Sequence, residues 1–333
     1  MVTIYDIAKL ADVSPMTVSR VINNTDKIKD TTKQRVVSAI KELGYIPNTA
    51  ARSLTSKKTK ILSLIVSDIT NPFFTKVTRG AEDKAMEMGY QILLSNTDED
   101  FEKESNYIDM VLSTRVDGVL ITPTGDESSK ELKRHNIPIV LLDREIDDFT
   151  CDLVVGDSYD GSRKLVEHLI KQGHKKIALI NGPSTISTAR ERQRGYLETI
   201  KLYGLTIHED YISQINYKID DALKVVEKLV TLPLTEQPTA IFAANNFIAV
   251  RTIQAFKTFG WDVPGDIAVV SFDDIEPIEN FNSFLTVASQ PAYDFGQIGI
   301  QLLIDRINGT LKEESKKVVL QPKIIIRQSS NKK

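Results

Sequence analysis

The stretch Thr3–Asn23, "TIYDIAKLADVSPMTVSRVIN", predicts two short amphipathic helices separated by a tight turn. Thr3 with Asp6 matches a capping box before the first helix, and Ser14 can cap the second, with Pro15 in its first turn. The apolar residues that share a face are Ile4, Ile7, Ala8 and Leu10 in the first helix and Val18, Val21 and Ile22 in the second. Helices this short cannot fill a core alone, so a further element must cover them.

A third helix is predicted from about Thr31 to Leu43, where Gly44 ends it. It would add four residues to the same apolar cluster: Val36, Val37, Ile40 and Leu43. Two helices joined by a short turn and backed by a third match the helix-turn-helix arrangement, which presents its second helix to the DNA major groove. A generic three-helix bundle is the alternative that the pattern alone leaves open.

The segment "GYIPNTAARSLTSKKTK" follows this head. Pro47 prevents the third helix from continuing, Asn48 can cap a new one, and "TAARSL" is long enough for about two turns. Because isolated helices of this length are unstable in water, we expect order here only with outside support. The basic run Lys57, Lys58 and Lys60 then marks a boundary, either as a solvated linker or as a hinge that contacts phosphates.

From Ile61 onward the pattern alternates between apolar runs of strand length and amphipathic helices. The runs are "ILSLIV", "QILLS", "DGVLIT", "IPIVLL", "DLVV", "KIALI", "TAIFA" and "IAVVSF". Such alternation is typical of parallel sheets wound by right-handed crossovers. The first sheet is complete near Val155–Ser158, and the remaining elements require a second lobe. The fold class predicted is α/β, with two doubly wound parallel-sheet lobes after a small all-α helix-turn-helix domain.

Composition narrows the function classes. Of 333 residues, 41 % are hydrophobic and 26 % charged, which is typical of globular proteins. The net charge of −3 is uneven: residues 1–60 hold eleven Lys or Arg against five Asp or Glu, a balance of +6 that leaves −9 for the body. A positive head on a negative body suits a polyanion bound at one end, although a soluble helical domain would show the same charge.

Several classes of protein are disfavoured. Cys151 is the only cysteine, which excludes an internal disulfide and a thiolate zinc site, and the four histidines lack ligand spacing, so we expect no metal and no cofactor. No run reaches the roughly 18 to 20 apolar residues of a membrane span, and a charged N-terminus replaces the apolar segment of a signal peptide, so we expect a cytoplasmic protein. No catalytic elbow, P-loop or dinucleotide fingerprint follows a strand, and we expect no enzyme.

Polar and aromatic residues follow the predicted strands at the edge where open parallel sheets bind ligands. They are Asn71, Phe73, Phe74, Asp143, Arg144, Arg190, Asn245, Asn246, Asp273 and Asp274. Aromatic faces stack on sugar rings, while carboxylates and guanidinium groups pair with vicinal hydroxyls, so this set predicts a polyol site. Core aromatics and helix caps would explain any one position equally well, but they explain the joint placement less well.

The head motif "TIYDIAKLADVSPMTVSRVIN" with "GYIPNTAARSL" strongly resembles the lactose-repressor (LacI/GalR) family of transcription regulators, and the body resembles periplasmic ribose-binding proteins. The resemblance covers essentially the whole chain. It implies a helix-turn-helix domain at 1–46, a hinge helix and linker at 47–60, and an effector-binding and dimerisation domain at 61–333. The lobes would comprise about 61–157 plus 291–320, and about 158–290 plus 321–330.

The resemblance also implies the DNA contacts. Pro15, Met16 and Arg20 would read operator bases, with Thr17 and Ser19 nearer the backbone. The hinge segment from Asn48 to Ser56 would fold in the minor groove, with Leu54 wedged into the central base step. The full predicted DNA-binding set is Thr3, Ser14, Pro15, Met16, Thr17, Ser19, Arg20, Asn23, Asn48, Ala51, Arg52 and Leu54.

For the effector, the resemblance places pocket residues at Asn71, Phe73, Phe74, Asp143, Arg144, Arg190, Tyr217, Asn245, Phe272 and Asp273. Near the last strand, "TVASQP" departs from the family pattern and leaves Ser289 or Gln290 as the candidate for a glutamine contact. A ribose-like pentose is the first expectation for the effector, and a hexose or a nucleoside-derived ligand is the second.

The predicted function is a homodimeric repressor of a sugar-utilisation operon that binds a pseudo-palindromic operator, with no membrane partner. Sugar closing the cleft would withdraw support from the hinge helices and change operator affinity. The alternatives are a sugar-binding receptor and a global carbon regulator that depends on a co-repressor. The sequence leaves open the effector, the sign of regulation, the operator and target genes, dimer against tetramer, and any partner protein.

Overall fold

The computed structural model describes residues 2–23, 28–45, 58–124, 131–132, 134–216, 221–275, 283–311 and 314–331. The chain divides into two compact units, Met1–Thr59 and Lys60–Lys333. Each unit has its own apolar core.

The first unit, which we call the head, contains helices α1 (Ile4–Ala11), α2 (Pro15–Asn23) and α3 (Asp30–Glu42). Both predicted caps are present. The Asp6 carboxylate accepts hydrogen bonds from the Thr3 backbone N–H at 2.8 Å and from its hydroxyl at 2.7 Å. The Ser14 hydroxyl accepts from the Thr17 backbone N–H at 3.2 Å. The buried core of the head consists of Ile7, Ala8, Ala11, Val18, Val36 and Ala39.

Two residues predicted for this core lie at the surface instead. Leu10 is 45 % exposed and Val37 is 52 % exposed. Successive residues of a helix are rotated by about 100°, and each of these two side chains lies about that far around the helix from the centre of the buried face. The predicted helix bounds were right to within a residue, whereas the width of the apolar face was overestimated.

The second unit, the body, begins with a six-stranded sheet in the order β11-β5-β4-β3-β1-β2, with every neighbouring pair parallel. Its strands are β1 (Ile61–Val66), β2 (Gln91–Asn96), β3 (Gly118–Ile121), β4 (Ile139–Leu142), β5 (Asp152–Gly156) and β11 (Lys317–Leu320). Helices α4 (Pro72–Glu87), α5 (Phe101–Thr114) and α10 (Ala292–Ile307) belong to this first lobe.

The second lobe has a sheet in the order β12-β10-β9-β8-β6-β7, parallel except for the antiparallel edge pair β10–β12. Its strands are β6 (Ile177–Asn181), β7 (Ile212–Gln214), β8 (Ala240–Ala243), β9 (Ala268–Phe272), β10 (Thr286–Ser289) and β12 (Lys323–Ile325). Its helices are α6 (Ser158–Lys171), α7 (Ser187–Leu202), α8 (Ala222–Val230) and α9 (Asn246–Thr258), with 3₁₀ turns at Glu209–Tyr211 and Gln328–Ser330.

The chain passes between the lobes three times, after β5, after β10 and between β11 and β12. Within the first lobe, helices α4 and α10 pack in close contact. A Cβ at Gly80 would lie 2.0 Å from the Tyr293 carbonyl oxygen, and one at Gly296 would lie 2.0 Å from that of Val77. Only glycine permits this approach. The predicted fold class, two parallel-sheet lobes preceded by a helix-turn-helix head, is confirmed.

Candidate functional site

The second helix of the head carries the predicted reading surface. Val18 is fully buried, whereas Met16 is 63 % exposed and Arg20 is also exposed. The hydroxyls of Ser14 and Thr17 lie 2.9 Å apart, so these two side chains also organise the start of α2. Pro15 and Ser19 are half-buried, and Thr3 is exposed at the start of α1. The head thus offers a short helix with an apolar inner face and an outer face that a DNA groove can accept.

A cavity of about 810 Å³ lies between the two lobes of the body. Its wall combines side chains from both sheets at the carboxyl ends of their strands. Seven of the predicted effector residues line it: Asn71, Phe73, Phe74, Asp143, Arg144, Asn245 and Asp273. Phe73 and Phe74 form an edge-to-face pair, with ring centroids 5.0 Å apart. Asn71 and Asn245 cap α4 and α9, accepting from the backbone N–H groups of Phe73 and Ile248.

Two buried carboxyl groups occupy equivalent places in the two lobes. Asp143 follows β4 and Asp273 follows β9, and both have a positive φ, 64° and 63°. Burial raises the pKa of Asp143, although Arg192 and Arg144 partly oppose this. Burial likewise raises the pKa of Asp273 to about 6, again opposed chiefly by Arg192. Two carboxyls that are costly to ionise because they are buried would be stabilised by a ligand that donates hydrogen bonds.

Arg192, which sequence reasoning missed, lies beside the Asp273 carboxyl, whereas Arg144 lies 4.0 Å from the Asp143 carboxyl. It is 3 % exposed and lines the cavity. It donates to the Ala244 carbonyl at 2.6 Å, and another guanidinium nitrogen lies 3.7 Å from the Asp273 carboxylate. Its guanidinium carbon lies 3.9 Å from the ring centroid of Phe272. These contacts fix Arg192 in place with donors left to face a ligand.

Arg144, by contrast, is committed to a carboxylate of its own lobe. It forms a bidentate ion pair with Glu99, with one contact at 2.7 Å, and also donates to the Pro123 carbonyl at 3.1 Å. Glu99 lines the cavity and was also missed, because it follows no apolar run directly. Thr188, a further missed residue, lines the cavity from α7.

Arg190, which was predicted as an effector contact, does not line this cavity. Its side chain lines a second cavity of about 630 Å³ and pairs with Asp147 at 3.1 Å. The buried face of α7 includes Thr188, Arg192 and Tyr196, which are spaced four residues apart. Arg190 is two residues, or about 200°, away from Thr188 and therefore points elsewhere. The four-residue spacing from Thr188 to Arg192 and on to Tyr196 is the sequence signal that could have placed Arg192 on the same face of the helix.

Two other predicted residues lie behind the wall. Phe272 is fully buried beneath Arg192 and does not line the cavity. Gln290 is also buried, and its amide donates to the Asp273 carboxylate at 2.8 Å, so it supports a wall residue. Phe272 is the last residue of β9, and Asp273 follows it with a positive φ, so the chain leaves the strand between the buried ring and the carboxyl that lines the cavity.

Several predicted residues cannot be placed. Asn48, Ala51, Arg52 and Leu54 of the hinge segment and Tyr217 of the effector set lie outside the described residues, as does the side chain of Asn23. Within the described ranges, no group of three or more His, Cys, Asp or Glu side chains could hold a metal ion. No helix in those ranges is long and apolar enough to cross a membrane.

Comparisons with known proteins identify the family of the chain. The family described as "Bacterial regulatory proteins, lacI family" matches residues 3–48. The family described as "Periplasmic binding proteins and sugar binding domain of LacI family" matches residues 59–329. The chain is 34 % identical to the HTH-type transcriptional regulator DegA of Bacillus subtilis (strain 168), over 99 % of this chain and 98 % of that protein.

Two further likenesses extend over nearly the full length. The HTH-type transcriptional repressor PurR of Aliivibrio fischeri (strain MJ11) is 34 % identical over 99 % of this chain and 98 % of its own. The crystal structure of the Lac repressor dimer bound to operator and the anti-inducer ONPF superposes with a TM-score of 0.85 at 25 % identity, covering 99 % of both chains. The chain therefore belongs to the LacI family of bacterial regulatory proteins and is a DNA-binding transcriptional repressor.

Proposed function

We propose that a small sugar, with a ribose-like pentose as the first candidate, binds the inter-lobe cavity and controls the operator affinity of this repressor. The observation that carries the proposal is the composition of the inner wall. Two aromatic rings, two buried carboxyls and a buried guanidinium group from the two lobes line the same cavity.

This set of groups matches the chemistry of a sugar ring. Carboxylates accept hydrogen bonds from hydroxyl pairs, the guanidinium group donates to ring and hydroxyl oxygens, and Phe73 and Phe74 supply apolar contact. The groups nearer solvent, such as Lys103 and Gln254, are exposed. A monosaccharide is smaller than the ligands that cavities of this volume usually hold, so it would occupy the inner part.

The regulatory step requires the sugar to favour one arrangement of the lobes. A differential affinity of about 1 to 3 kcal/mol between two arrangements changes operator binding roughly 5- to 150-fold. We propose a homodimer on a pseudo-palindromic operator, supported by the dimeric, operator-bound Lac repressor to which this chain is similar. Sugar-induced release of DNA is the proposed sign of regulation.

A thermal-shift screen of pentoses, hexoses, nucleosides and sugar phosphates tests the ligand class. A true effector present at about 100 times its Kd stabilises the protein by about 2.7 kcal/mol, which gives a measurable rise in Tm. The hits are then tested for their effect on operator binding. If nucleosides raise Tm and no sugar does, the pentose proposal is wrong.

Arg20→Ala should abolish specific operator binding, because Arg20 is the exposed cationic side chain of α2 and loss of a base contact costs about 1 to 3 kcal/mol per site, twice over in a dimer. Gel-shift titrations at fixed salt measure this loss against a scrambled sequence. Sugar-induced stabilisation should remain unchanged in the same variant. An unaltered operator footprint would show that Arg20 does not read the site.

We further propose that the protein acts by binding alone. The expected result is that ribose incubated with the protein is recovered chemically unchanged, as judged by NMR. Any turnover that Asp273→Asn removes would favour an enzyme instead.

A further inference from the structure

Two asparagine side chains join the lobes directly across the cleft. The Asn246 amide donates to the Asn71 carbonyl oxygen at 2.9 Å, and the Asn71 amide donates to the Asn246 carbonyl oxygen at 3.3 Å. Asn71 belongs to the first lobe, between β1 and α4, and Asn246 begins α9 of the second lobe. Both are buried, 7 % and 0 % exposed.

Each amide is also held by its own helix. The Asn71 carbonyl oxygen accepts from the Phe73 backbone N–H at 3.0 Å, and that of Asn246 accepts from the Phe247 backbone N–H at 2.8 Å. These bonds fix which way each amide faces, because flipping either one would place an NH₂ group against a backbone N–H. The two NH₂ groups therefore point across the cleft, and each one faces the side-chain carbonyl oxygen of the other asparagine.

Asn246 itself does not line the 810 Å³ cavity, whereas its neighbour Asn245 does. Opening the cleft must break both hydrogen bonds between the Asn71 and Asn246 side-chain amides. Two further contacts join the lobes at the second cavity: the Glu145 backbone N–H donates to the Ser187 hydroxyl, and Arg190 pairs with Asp147. The Arg190–Asp147 pair is exposed and therefore contributes little.

We propose that Asn246 is a positioning residue that, paired with Asn71, latches the lobes in the closed arrangement even without ligand. This deepens the proposed effector function, since the latch supplies part of the free energy that a sugar would otherwise spend on closure. The apparent Kd equals the intrinsic Kd divided by the fraction of protein that is already in the closed, binding-competent arrangement. A latch that raises this fraction therefore lowers the apparent Kd. Loss of two neutral hydrogen bonds should raise the Kd for ribose by about 10-fold.

The test measures lobe separation directly in the full chain. Spin labels at Glu82→Cys on α4 and Lys257→Cys on α9, in a Cys151→Ser background, report one distance across the cleft by double electron–electron resonance. Labelled chains are diluted with excess unlabelled chain so that only distances within one protomer are recorded. Without sugar, the latched protein should give one short distance, and Asn246→Ala should add a population at longer distance that saturating D-ribose removes.

Asn245→Ser is the matched control. Asn245 is the adjacent amide, lines the cavity and caps α9, but among the described residues it forms no hydrogen bond to the first lobe. Serine keeps the cap, so this variant should weaken ribose binding while leaving the sugar-free distance unchanged. Should Asn246→Ala fail to fold, Asn246→Ser keeps a hydroxyl at the helix end and is too short to reach Asn71.

Two results would overturn the latch: a sugar-free distance distribution that Asn246→Ala leaves unaltered, or an open distribution in the unsubstituted chain. Both are read without ligand. The latch can therefore fail while ribose still binds, and it can stand even if the screen finds that ribose is not the effector.

Discussion

Arg192→Gln should abolish the response to sugar while leaving sugar-free operator binding intact. Arg192 is buried, lines the cavity and lies 3.7 Å from the Asp273 carboxylate. Its replacement removes the N–H groups that could donate to a ligand and also removes the positive charge beside Asp273. Truncating one member of a buried, hydrogen-bonded charge pair typically costs about 2 to 5 kcal/mol of binding free energy. We therefore expect the Kd for the sugar to rise by at least about 30-fold, measured by titration calorimetry.

The matched control is Arg190→Gln, two residues away on the same helix. Arg190 pairs with the exposed Asp147 outside the effector cavity, and such surface pairs contribute about 0 to 1 kcal/mol. Arg190→Gln should therefore bind sugar almost normally. The assignment would be reversed if Arg190→Gln lost binding and Arg192→Gln kept it.

Arg192→Lys separates charge from geometry in the same site. Lysine keeps the positive charge near Asp143 and Asp273 but lacks the planar donor fork that also reaches the Ala244 carbonyl. We expect it to fold better than Arg192→Gln, because removing the partner of a buried charge is strongly destabilising. Its sugar affinity should nevertheless remain well below that of the natural chain.

The difference between Arg190 and Arg192 also shows where sequence reasoning was sufficient. The end of each apolar run fixes where a strand stops, and in parallel sheets those ends share one edge. Asp143, Asp273 and Asn245 follow this rule, and the structure has them in the cavity wall. A residue on a crossing helix is placed instead by its rotation about the helix axis, which strand ends do not specify.

The strands of the body also fall into those that their apolar runs predict and those that these runs do not reveal. All eight apolar runs of the body became strands. Seven of them lie in the interior of a sheet, where both faces of a strand are covered, and the eighth, β2, is an edge strand with only partial burial. Four further strands, β7, β10, β11 and β12, are not among those apolar runs. Strands β7, β11 and β12 lie at sheet edges and are partly exposed.

Strand β10 is buried but begins with Thr286, whose polar groups the C-terminal segment satisfies. The Thr286 backbone N–H donates to the Ser329 hydroxyl at 2.8 Å, and its own hydroxyl lies 2.6 Å from that of Ser330. A polar residue in a central strand reads as a loop from the sequence until its distant partners are known.

Asp273→Asn should stabilise the sugar-free protein at neutral pH while destroying its sugar response. The pKa of Asp273 is raised by burial from 3.8 to about 6, so the folded state holds a proton that the unfolded state releases at lower pH. The stability that depends on this proton is complete below about pH 4 and is lost as pH rises through about 6. At pH 7.5 the ionised carboxyl therefore costs up to about 3 kcal/mol, which the neutral amide avoids.

The measurement is the difference in Tm between Asp273→Asn and the natural chain, followed from pH 5 to pH 7.5 without sugar. That difference should grow with pH, because it isolates Asp273 from groups present in both chains. One such group is His168, whose pKa is lowered by burial and which acts in the opposite direction. The amide can still accept the hydrogen bond from Gln290, so the local structure should persist. A sugar-free difference that is flat with pH would mean that Asp273 is ionised at no cost in the fold, and its carboxylate would then not be a strained group that the effector relieves.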